Sequence, residues 1–162
     1  MNIELHHECA DLLFTEARHL DRREWDEWLA LYDKDAEYWV PAWDSSYEYT
    51  QDPDNEVSLI YYSDRSGLED RVYRIRTNMS SASVPLPRTS HVISNVQVRA
   101  QGDDYLVYSN FEVTSFRDKT STVFAGYYEH LLQRTDAGLR IAKKKIIVIN
   151  DVIHQLMDVY MV

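Results

Sequence analysis

The sequence is poor in the residues that redox centres, phosphate loops and disulfide frameworks require. In 162 residues it has one cysteine, Cys9, with four glycines and four prolines. One cysteine excludes an internal disulfide. It also excludes a Cys₄ iron–sulfur cluster, or a Rieske centre with two Cys and two His, held by this chain alone. Gly67, Gly102, Gly126 and Gly138 stand too far apart to cradle a phosphate, and there is no Gly-x-Ser-x-Gly elbow. No apolar run approaches the roughly 18 residues of a membrane span. Met1–Glu8 lacks the basic and apolar regions of a signal peptide, so a cytoplasmic location without membrane contact is expected. Basic residues are also in deficit, 17 Lys and Arg against 27 Asp and Glu, for a formal charge of −10. Phosphate backbones need a basic surface, so nucleic acid is not an expected partner. The one basic run, Lys143-Lys144-Lys145, falls inside a predicted strand, so its side chains alternate between both faces and are expected to be solvated or salt-bridged.

Aromatic residues, by contrast, are plentiful: twelve Tyr, four Trp and four Phe. Each can bury roughly 150–250 Å². A core this size does not need them all, so some are expected at a protein interface or a pocket wall. The second half of the chain is rich in Val, Ile, Tyr, Phe and Thr, with turn signals at Gly102-Asp103-Asp104, Asp118-Lys119 and Asp136-Ala137-Gly138. The spacing predicts four long antiparallel strands, Ser90–Arg99, Tyr105–Arg117, Thr120–Arg134 and Leu139–Ile149. Alternation puts Tyr105, Val107, Phe111 and Val113 on a dry face, and assigns Val92, Val96 and Val98 together to one face. A dry face needs a cover.

The first half supplies one. Leu5, Cys9, Leu12, Leu13, Ala17 and Leu20 fall at helical spacing, predicting a helix over 3–20. Asp21 and Glu24 suggest a capped start for a second helix carrying Trp25, Trp28, Leu29 and Tyr32 and ending near Asp33-Lys34-Asp35. Ala36–Ala42 and Glu56–Tyr62 read as short strands around a long polar loop, with Pro41 confining the first to an edge or end. Ser66 and Glu69 suggest the cap of a third helix, in a region crowded by Arg65, Arg71, Arg74 and Arg76. The apolar tail 151–162 is expected to be docked. Helices first and a long sheet last make one α+β domain over 1–162, a strongly bent antiparallel sheet wrapped around the N-terminal helices. The analogy is the cone of nuclear transport factor 2 and cystatin-like proteins.

Chemistry is sparse. Glu4–His7 and Glu16–His19 have the Glu-x-x-His spacing of di-iron carboxylate sites, but no further carboxylate-bearing helices accompany them, and surface positions are expected. His154 and Asp158, at i and i+4, are only two ligands. Asp35, Tyr38 and His91 could converge at a cone mouth for acid–base work, as in an isomerase or dehydratase similar in fold to ketosteroid isomerase. The competing reading is that His91 and Arg88 are bonded to carboxylates or carbonyls at an interface. A small-ligand module using the cone pocket is a third.

Several runs carry a resemblance across the whole chain: Tyr38-Trp39-Val40-Pro41-Ala42-Trp43-Asp44, Asp52-Pro53, Ser58–Tyr62, Gly67-Leu68-Glu69-Asp70-Arg71-Val72, Arg88-Thr89-Ser90-His91 and Ser94-Asn95. In these the chain resembles the small (β) subunit of Rieske non-haem-iron aromatic-ring-hydroxylating dioxygenases of the benzoate/anthranilate type. The resemblance implies a cone-shaped non-catalytic subunit that assembles with a large (α) subunit, as α₃β₃ with a β₃ trimer. It implies that the Rieske [2Fe–2S] cluster and mononuclear Fe(II) lie in the large subunit and receive electrons from NADH through a reductase. It carries over no catalytic, cofactor-binding or metal-binding residue. The expected contacts are Trp39, Pro41 and Trp43 as apolar anchors, with Glu69, Asp70, Arg71, Arg88 and His91 as charged partners.

Overall fold

The computed structural model describes residues 2–79, 83–153 and 156–162. Helix α1 spans Ile3–Arg22; Asn2 starts it, its Oδ1 accepting from Leu5 N at 3.1 Å. The apolar stripe buries Cys9, Ala10, Leu13, Ala17 and Leu20. Arg23, at φ 59°, turns the chain into the left-handed region and ends the helix, with the Arg23 and Glu24 amides returning to the Leu20 and His19 carbonyls. A short helix α2, Trp25–Ala30, drives Trp25 and Trp28 inward. Strand β1 (Tyr32–Pro41), strand β2 (Ser58–Tyr62) and helix α3 (Arg65–Arg76) follow. Then come four long strands, β3 (Arg88–Gln101), β4 (Asp104–Arg117), β5 (Thr120–Thr135) and β6 (Gly138–Val148).

The six strands form one sheet in the order β2-β1-β6-β5-β4-β3. Every neighbouring pair is antiparallel except β1 and β6, which run parallel. The sheet curls around the helices. Its inner face presents Val107, Phe111, Val113, Phe124, Tyr128, Leu132, Ile141 and Ile146 to the α1 stripe, forming a single buried cluster. The expected dry face of β4 is this inner face. The chain end closes the same core, with Val159, Tyr160, Met161 and Val162 all buried.

Local expectations failed where tertiary partners overrode them. Asp21 does not cap a second helix. It lies in the last turn of α1, and Glu24 at the start of α2 makes no side-chain cap. Asp33-Lys34-Asp35 is strand rather than helix end: Ile141 N bonds to Leu31 O at 2.8 Å and recruits the segment beside β6. The α3 cap is Asp64, which accepts from Ser66 N, while Glu69 pairs with Arg65. On β3 the alternation breaks at a bulge between Ser94 and Gln97, where Asn95 adopts φ 55°. Val96 and Val98 pack against the core, but Val92, before the bulge, faces outward and is 57% exposed.

Candidate functional site

The polar heart of the cone is Glu16. It lies on the apolar stripe of α1, three residues after Leu13 and four before Leu20, and is 2% exposed. Four donors from four further elements meet its carboxylate. Lys144 Nζ of β6 lies 3.0 Å from Oε1, Trp28 Nε1 3.4 Å from Oε1, and His130 Nε2 of β5 3.4 Å from Oε2. The Tyr32 hydroxyl also donates to Oε1. Burial alone would raise the Glu16 carboxyl, but the Lys144 ammonium and the His130 contact outweigh it and hold the group well below the ordinary carboxylate range. Burial pushes the Lys144 ammonium and the His130 imidazole down, against the pull of Glu16. The Lys144 ammonium also sits 4.2 Å from the Tyr128 ring centroid, a cation–π contact in a dry setting. Five surface cavities of 300–640 Å³ have none of Glu16, His130 and Lys144 in their walls. The Glu16 and Lys144 charges neutralise one another in a buried setting, which makes this cluster structural.

One expectation is corrected by this cluster: Glu16 is not a surface residue. The lysine run is salt-bridged on alternating faces, as its strand position predicts. The pleat of β6 sends Lys143 outward to Glu37 and Lys145 outward near Glu129, but turns Lys144 in. A period-based signal was present, because Glu16, His130 and Lys144 each occupy a position in phase with apolar neighbours.

The Asp35, Tyr38 and His91 convergence does not occur. Asp35 is exposed beside Lys34, and Tyr38 is fully buried with its hydroxyl unpartnered. His91 instead belongs to Asp21. Its Nδ1 lies 2.6 Å from Asp21 Oδ1, and its backbone N–H donates to Oδ2 at 2.9 Å. Thr89 Oγ1 also donates to Oδ1 at 2.9 Å. Burial opposes the Asp21 charge, but the His91 bonds prevail and lower its pKa. This ties the last turn of α1 to β3.

The other expected contact residues separate by face. Trp39 points to the outer side of the sheet, donates to Ser58 Oγ at 2.9 Å and lies under the Lys143 and Lys145 ammonium groups. Pro41 ends β1, where the pairing with β2 shifts register. Trp43 is 38% exposed, meets the Tyr49 ring edge-on and donates to Val148 O at 2.6 Å. Glu69 pairs with Arg65 and Asp70 with Arg74, both along α3. Arg71 grips the buried carboxylate of Asp158 through two nitrogens, docking the tail on α3. Arg88 is exposed over the Phe116 ring.

Glu4 and His7 are exposed on the first turns of α1, while Glu16 and His19 take different partners, His19 reaching Glu24. His154 lies outside the described residues, and Asp158 is committed to Arg71. Among the described residues no three His, Cys, Asp or Glu side chains are grouped to hold a metal. Burial pushes the Cys9 thiol up to about 11, which leaves it a poor ligand and nucleophile.

Known proteins share this arrangement across nearly its whole length. Residues 15–155 match the family model described as ring hydroxylating beta subunit. The small subunit of 2-halobenzoate 1,2-dioxygenase from Burkholderia cepacia is 45% identical, over 91% of this chain and 90% of its own. The anthranilate 1,2-dioxygenase small subunit from Acinetobacter baylyi is 39% identical over 99% of each. Among solved structures, the β subunit of benzoate 1,2-dioxygenase from Burkholderia mallei superposes with a TM-score of 0.79, at 39% identity and 95% coverage of both chains. The cone expected by analogy is the cone observed, of the nuclear transport factor 2 and cystatin-like type.

Proposed function

We propose that this chain, which belongs to the ring hydroxylating beta subunit family, shapes and stabilises an oxygenase that dihydroxylates an aromatic carboxylic acid of the benzoate or anthranilate kind. It is a small subunit of an aromatic-ring-hydroxylating dioxygenase, and so part of an oxidoreductase. The observation that carries the reading is the near end-to-end match to small subunits of three such enzymes. The physical picture supports it. The interior that a cone-fold isomerase would use as a pocket is filled here by Glu16, Lys144 and His130.

In this reading residues 1–162 work as one unit in the cytoplasm. The large subunit carries the Rieske [2Fe–2S] cluster and the mononuclear iron, which supply electron transfer and O₂ activation with electrons from NADH through a reductase. Three copies of each chain assemble as α₃β₃, the small subunits trimerising among themselves. Exposed apolar side chains on the outer sheet face, Val92, Phe116, Val123 and Tyr127, favour such association. Trp39, Pro41, Trp43, Glu69, Asp70, Arg71, Arg88 and His91 remain the proposed contact set. Several of them already have partners inside the chain, so for Trp39 and Arg71 the role is to hold a surface in shape. Co-production with the large subunit of a benzoate-type dioxygenase is the test. A hexamer that oxidises benzoate when supplied with NADH and the reductase, from a chain that alone turns over nothing, is expected. Turnover by the isolated chain would overturn the reading.

A further inference from the structure

The Asp21–His91 pair opens onto a cavity that the scaffold role does not explain. The His91 side chain is 1% exposed, and its Nδ1 is engaged by Asp21, yet its Nε2 has no hydrogen-bond partner. A buried polar atom left unpaired is costly, and such atoms are few in native proteins. His91 lines a 340 Å³ cavity between α1 and the edge strand β3, and Phe14, Arg18 and Arg22 of α1 form the opposite wall. These three residues succeed one another at four-residue spacing, so they share one helix face.

Both arginines are exposed, and neither makes a hydrogen bond or ion pair among the described residues. This is unusual for the chain, because Arg65, Arg71, Arg74 and Arg76 of α3 are all ion-paired. In a chain of net charge −10, two unpaired guanidinium groups beside an unpaired imidazole nitrogen make a local cationic pocket. Phe14, 46% exposed, gives it an aromatic rim.

We propose that this cavity is a carboxylate site, filled in the assembled oxygenase by an acidic side chain of the large subunit. The proposal rests on the assembly reading above. Guanidinium forks match the planar carboxylate, and the imidazole completes the set. Asp21 holds the ring at Nδ1, which leaves Nε2 turned toward the incoming group. Exposed, unpaired arginine side chains can turn aside to admit the group. A protein carboxylate fits better than a free one. Ion pairs at exposed arginines are worth little in water, whereas a docked subunit excludes the water that screens them. The exposed Phe14 beside them is the apolar anchor such a contact needs.

The test compares wild type with R18A/R22A, each mixed with purified large subunit and followed by sedimentation. The double variant should raise the apparent Kd for the large subunit at least tenfold while the melting temperature of the isolated chain stays unchanged. His91→Gln should weaken assembly severalfold as well. In a second arm, sodium benzoate is titrated into the isolated chain with ¹⁵N-labelled histidine. A saturable shift of the His91 Nε2 resonance would make a free aromatic acid the occupant and overturn the large-subunit assignment. Wild-type assembly matched by an unaffected double variant would overturn the site alone. A wild-type chain that ignores the large subunit would overturn the assembly reading and this occupant together.

Discussion

At the scale of single residues, the Glu16–Lys144 pair sets the terms. Removing one member of a buried ion pair leaves the other charge uncompensated, at a cost of about 3–5 kcal/mol. Glu16→Gln keeps an acceptor for Tyr32 and Trp28 but strands the Lys144 ammonium, so a loss of about 3 kcal/mol is expected in urea denaturation. Lys144→Met in the Glu16→Gln background should restore most of it, and additive losses would show that the pair is not coupled. Protonation should act in the same direction. His130 has a depressed pKa in the folded chain, so below about pH 6.5 the unfolded state takes up a proton that the folded state resists, and stability falls. The Glu16 pKa is also depressed, so its contribution is complete above about pH 4.3 and is lost below it. His130→Gln should abolish the first of these losses and keep the second, read as the denaturation midpoint from pH 7 to pH 3. The sequence held these residues in plain view at apolar-phase positions. What it could not give was that three such positions, 128 residues apart along the chain at their widest, meet at one carboxylate.

At the scale of elements, the long strands were legible because turn signals and β-rich runs agree over 14 to 16 residues in β3, β4 and β5. The ends of the short elements were not. A six-residue helix carries too little periodicity to outvote the parallel pairing that converts Asp33–Asp35 to strand. Nor does alternation reveal a bulge, and one extra residue at Asn95 was enough to separate Val92 from Val96 and Val98. The docked tail was foreseeable from its composition, but its clamp was not. Asp158 accepts from Arg71 and from Val159 N, so it joins α3 to the chain end. Asp158→Ala should free the tail and cost about 3 kcal/mol. Limited proteolysis should then cut near residue 158 well before the rest of the chain, and resistance equal to wild type would show that the apolar contacts alone hold it.

At the scale of the whole molecule, the candidate contact surface was only partly readable. Trp39 and Tyr38 do fall on opposite faces, as strand alternation demands, and it is Trp39 that faces out. The charged members were legible as residues but not as pairs, because the partners of Arg71 and His91 lie 87 and 70 positions away. The curled sheet and α1 also carry a built-in reporter. Cys9 is fully buried on the α1 stripe, its thiol pushed up to about 11, so a thiol reagent can reach it only when the helix lifts from the strands. Its labelling rate in the native chain is therefore a clock for that opening. Binding of the large subunit across the α1–β3 groove should slow the clock, whereas docking confined to the outer sheet face should leave it running at its free rate.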